Sequence, residues 1–328
     1  MILVAGGAGY IGSHTVLALQ EAGFRPLVLD DFSTGHRGAL QGGDCVEVDL
    51  LDRDALAAVF AAHPIDTVVH FAARCYVGES VQDPGQYYRQ NVGGTLNLLQ
   101  AMVGAGVSRL VFSSTCATYG LPERLPIVES ESQIPINPYG HTKLVCEYML
   151  RDFAVAHGLS SIALRYFNAA GADPAGQLGE DHRPETHLIP LALAAAAGKR
   201  EALRVFGDDY PTRDGTCIRD YVHVSDLATA HLLGLRSLLD GETGFRAFNL
   251  GNAAGTSVAE VLDAIEKVTG RAVPHEIAPR RPGDPAILVG SSERIERELG
   301  WKAKFADIET IIATAWAWFE GHPDGYAN

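Results

Sequence analysis

A doubly wound α/β fold, a parallel sheet with helices on both faces and a smaller α/β lobe after it, is what this sequence predicts. Three observations lead there. The apolar run Ile2-Leu-Val-Ala5 passes through a glycine-rich turn, Gly6-Gly-Ala-Gly-Tyr-Ile-Gly12, into the helical pattern Ile11, Thr15, Ala18, Leu19, Ala22. Near-continuous β-branched runs then alternate with helical stretches as far as Tyr166, the pattern of a sheet covered on both faces. Beyond Asn168 the alternation gives way to loops rich in Gly, Pro and Asp at 171–179, 207–215 and 279–285.

The elements follow in order. After the first strand, turn and helix comes Pro26-Leu-Val-Leu-Asp30, then Cys45-Val-Glu-Val48, a helix over 54–61 and the strand Asp66-Thr-Val-Val-His-Phe71. A helix over 91–105 leads to the strand Arg109-Leu-Val-Phe-Ser113. Another helix opens at Pro138 and carries Leu144, Val145, Tyr148 and Met149 at helical spacing, and Ser161-Ile-Ala-Leu-Arg-Tyr166 is the next strand. The expected division is a Rossmann-type nucleotide-binding domain over 1–167 and a substrate lobe over 168–328. A helix over 225–239 and the strand Ala247-Phe-Asn-Leu250, within the segment 217–251, are expected to return to the first domain.

Composition narrows the function classes. The chain has 328 residues, 47% of them apolar, enough for two cores. A formal charge of −14 with no long Lys/Arg cluster disfavours nucleic acid and anionic membranes as partners, so an anionic substrate would need local arginines. No run reaches the roughly 18 apolar residues of a membrane span; Leu188–Ala197 is short and contains Pro190. The five cysteines, Cys45, Cys75, Cys116, Cys146 and Cys217, are scattered without a C-x-x-C, and no charged leader precedes the first strand, which together suggest a reducing cytoplasm. His182 and His187 lie in a Pro-containing loop outside any H-E-x-x-H pattern, so they read as loop residues and no metal is expected.

Two motifs carry chemistry. A glycine turn between a buried strand and a helix lets backbone N–H groups and the helix N-terminus approach a pyrophosphate. Asp30 ends the next strand, where a carboxylate accepts from a ribose 2′-OH and repels a 2′-phosphate, so the expected cofactor is NAD rather than NADP. Ligands of such sheets bind at the carboxyl ends of the strands, which gathers Gly6–Gly12, Asp30, Asp49, Phe71-Ala-Ala73 and Ser113-Ser-Thr115 around one crevice. The second motif is Tyr139 and Lys143 in Pro138-Tyr-Gly-His-Thr-Lys143. Four residues apart on a helix, they share a face. An ordinary tyrosine, with a pKa of about 10, is ionised in roughly one molecule in a thousand at pH 7, and a fixed cation favours the phenolate. The pair is a candidate general base.

Laid in order, these motifs resemble the extended short-chain dehydrogenase/reductase family and, within it, the UDP-glucose 4-epimerases, over essentially the whole chain. The resemblance is carried by Gly6–His14, Val77-Gly-Glu-Ser80, Ser113–Gly120, Pro138–Lys143 and Arg165-Tyr-Phe-Asn168, together with Asp209–Thr216, Arg219–Val224, Asn249-Leu-Gly-Asn252 and Arg280-Arg-Pro-Gly-Asp284. The glycine turn and the Tyr/Lys pair specify only the broad family. Asp209–Val224 and Arg280–Asp284 point to the epimerase branch.

The resemblance implies that Tyr139 accepts the proton of the sugar O4, that Lys143 holds the nicotinamide ribose and depresses the Tyr139 pKa, and that Thr115 hydrogen-bonds the sugar hydroxyl. It assigns cofactor contacts to Gly6, Gly9, Tyr10, Ile11 and Gly12 at the turn and to Asp30, Asp31, Asp49 and Leu50 beyond it. Further contacts fall on Phe71, Ala72, Ala73, Asn91, Ser113, Tyr166 and Phe167. UDP-sugar contacts fall on Asn168, Leu188, Phe206, Arg219, Tyr221, Arg281 and Asp284, the two arginines supplying charge for a diphosphate. The implied chemistry is reversible oxidation at C4 through a 4-keto sugar, with NAD regenerated each cycle, in a homodimer joined through helices of the first domain.

Ala5, Cys75 and His187 depart from residues common in that branch. A nucleotide-sugar 4,6-dehydratase would carry an Asp-Glu pair after Thr115, where this chain has Cys116-Ala117, and a decarboxylase would carry a glutamate in the same turn. A regulator that only senses NAD would not need Tyr139 and Lys143. By alignment with relatives, Leu288 stands where a tyrosine lines the hexose pocket of enzymes confined to glucose and galactose, which leaves room for an N-acetyl group at C2.

Overall fold

The computed structural model describes residues 1–281 and 284–327. Pro282 and Gly283 of the Arg280–Asp284 motif lie outside the described residues.

Seven parallel strands form the central sheet in the order β11-β6-β5-β4-β1-β2-β3. They are β1 (Ile2–Ala5), β2 (Pro26–Asp30), β3 (Cys45–Glu47), β4 (Thr67–His70), β5 (Arg109–Thr115), β6 (Ser160–Tyr166) and β11 (Phe245–Leu250). The direction of winding reverses between β1 and β4, which opens a crevice at their carboxyl ends. Alternating side chains feed two cores. Ile2 and Val4, with Val28, Val69, Val111 and Ile162, pack under α1 (Tyr10–Glu21) and α8 (Val224–Leu239). Leu3, with Leu27, Leu29, Val68, Leu110 and Phe112, packs on the other face. That face carries α2 (Arg53–Ala62), α5 (Gly94–Gly104) and α6 (Pro138–His157). Burial on both faces is why these strands read as unbroken apolar runs.

The short helices α3 (Val77–Gln82) and α4 (Pro84–Tyr87) and a π-helical turn over 88–93 precede α5. The single helix expected over 91–105 therefore begins with a wide turn, which carries Asn91. β5 runs two residues past the expected end at Ser113, because Ser114 and Thr115 stay in register with Arg165 and Tyr166. α6 starts at Pro138 for local reasons: Asn137 caps it, its side chain accepting from Gly140 N at 2.8 Å, and proline fits the first helical position.

The remaining strands are short: β7 (Asn168–Ala170), β8 (Leu203–Phe206), β9 (Ile218–Arg219), β10 (Tyr221–His223), β12 (Thr256–Ser257), β13 (His275–Ala278) and β14 (Ile287–Leu288). α7 (Leu188–Ala196), α9 (Val258–Thr269) and α11 (Ile308–Gly321) enclose a third core with Ile189, Leu193, Val261, Ile265 and Ile312; α10 (Glu293–Leu299) contributes Ile295 to the first. Pro190 is compatible with α7 because it stands in the first turn, where an N–H has no helical acceptor. No described helix is long and apolar enough to cross a membrane.

Candidate active site

The glycines of the first turn are required for different reasons. At Gly6, φ is +81° and a Cβ would lie 2.4 Å from Ala72 N, so β1 and the end of β4 touch through backbone. A Cβ on Gly12 would lie 2.1 Å from Gly6 O. Gly9 has ordinary room for a Cβ, 3.5 Å from its nearest neighbour, so its bareness serves whatever approaches from the crevice. Gly9 also caps α1 without any side chain, which leaves the N-terminus of that helix facing the crevice. A cleft lies there, its lining including Gly9, Tyr10, Ala73, Cys75 and Tyr76. This bare backbone cradle fits the pyrophosphate of a dinucleotide.

Other expected cofactor residues ring the same crevice in distinct roles. Asp30 Oδ2 accepts from Ala8 N and Oδ1 from Phe32 N, both at 2.9 Å, while burial raises its pKa. The carboxylate is thus fixed at the end of β2 with lone pairs to spare for a ribose. Asp31 turns to Ser33 instead, accepting from its N–H and hydroxyl. Tyr10 OH donates to Gly171 O at 2.6 Å, so it ties the turn to the second lobe. Ile11, in the first turn of α1, packs against the first core, and Asp49 Oδ1 accepts from Leu51 N at 2.9 Å beside buried Leu50. Phe71 and Ala72 both donate backbone N–H to Ala5 O. Asn91 is a latch: its amide bonds both backbone groups of Arg74 and the Thr142 hydroxyl, holding the loop after β4.

Tyr139, Lys143 and Thr115 meet where α6 begins and β5 ends. Lys143 is buried, donates from Nζ to Ser113 O at 2.8 Å and lies 4.9 Å from the Phe112 ring centre. Burial lowers its pKa to about 8. Tyr139 is half-buried at the rim of the crevice. Burial, with the neighbouring Tyr166, pushes its phenol well above its ordinary pKa, and Thr115 pulls it back. The Lys143 ammonium is directed at a backbone carbonyl, and burial is the largest influence on the phenol. Thr115 Oγ1 accepts from Ala117 N at 3.1 Å, which leaves its own hydrogen for the Tyr139 oxygen. Ser113 Oγ bonds Tyr166 OH in the floor of the site.

The turn Cys116–Thr118 contains no carboxylate, and burial pushes the Cys116 thiol up to about 12. It offers no acid for eliminating water.

The expected substrate residues are brought together by the short strands. Asn168 pairs with Tyr221 in the β7–β10 ladder, its N–H and Nδ2 both donating to Asp220 O. Arg219 pairs in register with Leu288. Arg219 Nη2 lies 2.5 Å from Asp284 Oδ1, so part of the charge expected for a diphosphate is matched by a carboxylate. Arg281 stacks on Phe206, 3.9 Å from the ring centre, and among the described residues no carboxylate pairs with it. Leu188 opens α7, and Phe167 packs with Tyr119 and Ile127, against which Cys116 and Leu288 rest.

Two features escape the sequence reading. Asp220, raised to about 6 by burial, accepts from the backbone N–H of Asn252, Ala253 and Gly290 and so binds the short strands together. Glu180, His182, Glu185 and His187 converge on one loop; the spacing Glu-x-His-x-x-Glu-x-His was the available signal. Burial opposes charge on His182, but hydrogen bonds to Glu180 and Glu185 raise it to about 10.

Known proteins share this fold. The sequence profile of the NAD dependent epimerase/dehydratase family matches residues 2–251. UDP-glucose 4-epimerase of Halalkalibacterium halodurans is 54% identical over 328 residues, covering 100% of this chain and 98% of that protein. The crystal structure of UDP-glucose 4-epimerase from Brucella ovis in complex with NAD is 53% identical, with a TM-score of 0.95 over 97% of this chain and 98% of that one. The UDP-Glc/GlcNAc 4-epimerase of Campylobacter jejuni is 42% identical, with a TM-score of 0.85 over 98% and 99% of the two chains. The chain therefore belongs to the NAD dependent epimerase/dehydratase family.

Proposed function

We propose that this chain is an NAD-dependent UDP-glucose 4-epimerase, interconverting UDP-glucose and UDP-galactose through a 4-keto sugar. The observations that carry the reading are Lys143 held on Ser113 O at the end of β5, Tyr139 hydrogen-bonded with Thr115 and the bare glycine turn, in a chain that shares about half its residues with proteins of that activity over full length. When bound, NAD takes the C4 hydrogen with its electrons and returns it.

The chain's own residues do the rest. Thr115 donates its hydroxyl hydrogen to the sugar oxygen. Tyr139 takes the O4 proton and gives it back. Lys143 keeps two N–H donors beyond the one on Ser113, which hold the ribose and favour the phenolate when the site is filled. Inversion requires the keto sugar to turn over, so the nucleotide is gripped, by Arg281, Phe206 and Leu188 among others, while the hexose is held loosely. The same reading assigns the remaining contacts to Arg219, Tyr221, Asn168 and Asp284.

A wider substrate range is favoured by Leu288. It is half-buried, pairs with Arg219 across β14–β9 and packs against the same Tyr119, Ile127 and Phe167 cluster as Cys116, the neighbour of Thr115 in sequence. We infer that UDP-N-acetylglucosamine is also epimerised. Exposed Tyr88, Val103 and Tyr148, on or beside α5 and α6, support a homodimer through these helices, testable by light scattering. Cysteines without disulfide partners support a cytoplasmic location.

The test is direct. Purified protein, denatured, should release NAD, and the native protein should convert UDP-galactose to UDP-glucose without added cofactor. A 4-keto-6-deoxy product would identify a dehydratase instead.

A further inference from the structure

The loop between β7 and α7 carries a cluster that the reaction above does not use. Glu180, His182, Glu185 and His187 each place one ligand atom within 4.8 Å of the others. Both histidines turn Nδ1 inward. His182 Nδ1 lies 3.1 Å from Glu180 Oε1 and 3.5 Å from Glu185 Oε2. His187 Nδ1 lies 2.8 Å from Glu180 Oε1 and 2.9 Å from Glu185 Oε1. Ligand atoms about 2.0–2.1 Å from a tetrahedral ion stand about 3.4 Å apart, so the histidine–carboxylate separations lie within about 0.6 Å of that spacing, while pairs as far apart as 4.8 Å would close on binding.

We propose that this loop binds one divalent transition-metal ion, zinc by its ligand set, as a structural clamp on the rim of the active site. Two imidazoles exclude the all-oxygen shells of calcium and magnesium, and the lack of thiolate disfavours copper(I). Binding releases the protons that the carboxylates hold on the two imidazoles, and the two carboxylates then balance the charge of a divalent ion. Four protein ligands fill a tetrahedral shell, which makes the site structural rather than catalytic.

The neighbours say what the clamp would hold. Tyr76, on the loop after β4, sets its ring edge-on to His182 at 6.0 Å and tilted to His187 at 6.3 Å, and Tyr10 of the glycine turn lies 6.1 Å from His182. Asp181, between two of the ligands, accepts from Tyr326 N through Oδ2 at 3.0 Å, and its carbonyl lies 2.8 Å from His36 Nε2. Leu188 follows His187 directly and opens α7. One ion would thereby fix the nucleotide-binding turn, the C-terminal segment and the start of α7 relative to each other. The metal site does not depend on the proposed reaction.

Tag-free protein purified without chelators should contain about one zinc per chain by elemental mass spectrometry. After removal with dipicolinate, zinc alone should rebind at one site by calorimetry and raise the Tm. Glu185→Gln and His182→Gln should each weaken zinc binding by about 100-fold or more and abolish that rise. Should either variant fail to fold, the stoichiometry and rebinding of the wild type decide the matter alone. Wild-type protein that takes up no zinc, or folded variants that keep it, would overturn the proposal, whatever the enzyme does with UDP-sugars.

Discussion

Lys143 and Arg165 are two buried cations around the same helix, in opposite surroundings. Arg165 donates to both oxygens of Glu147, at 2.9 and 2.6 Å, and to Tyr119 OH and Gln133 Oε1. Ser114 Oγ and Asn249 extend that network across β5 and β11. Lys143, one turn before Glu147 on α6, has Ser113 O and the face of Phe112. Burial opposes both charges, but Glu147 raises Arg165 while burial alone prevails at Lys143. A satisfied guanidinium pins α6 to the sheet; an under-satisfied ammonium is left facing the crevice. The cation whose donors are incomplete in the protein is the one with work for a ligand.

Substitutions on either side test this contrast, and the largest effect belongs to the open side. Tyr139→Phe should lower kcat by about 10²–10⁴ with UDP affinity nearly unchanged by calorimetry, since only the proton acceptor is lost. Turnover above about a tenth of wild type would remove Tyr139 from the reaction.

On the closed side, Glu147→Ala strands a buried guanidinium, and urea denaturation should show a loss of about 3–5 kcal/mol. A loss under about 1 kcal/mol would mean that the network does not anchor α6.

Lys143 should reveal itself through pH in protein stripped of nucleotide. Its folded pKa, about 8, lies below its unfolded value of 10.5, so between these the unfolded chain binds more protons and stability rises with pH. Relative to Lys143→Met, wild type should therefore gain about 3 kcal/mol from pH 8 to 10.5. Parallel stability curves would show that Lys143 is solvated.

The smallest effect concerns pocket width. Leu288→Tyr should reduce kcat/KM for UDP-N-acetylglucosamine more than for UDP-glucose, by a ratio corresponding to about 1–3 kcal/mol. An unchanged ratio would assign the width to another residue.

The legible parts of this molecule are the local ones. β1, the glycine turn and α1 announce themselves because strand, turn and helix patterns follow directly along the chain, and Asn137 with Pro138 marks where α6 begins. The meeting of Arg219 with Leu288, or Asn168 with Tyr221, joins distant segments through strands of two or three residues, too short to show a period. Those residues were reached by family resemblance rather than by pattern. Spacing reveals that a lysine neighbours Tyr139 but not the carbonyl to which that lysine is directed. The convergence of Glu180, His182, Glu185 and His187 escaped because it depends on loop geometry.

The central claim is a closed redox cycle on a nucleotide the protein already holds. Incubation of purified protein with UDP-galactose in D₂O, without added cofactor, tests it most directly. The account predicts UDP-glucose with no deuterium at C4, because the hydrogen removed there is the one returned. Deuterium at C4, or no conversion unless a reductant is supplied, would contradict it.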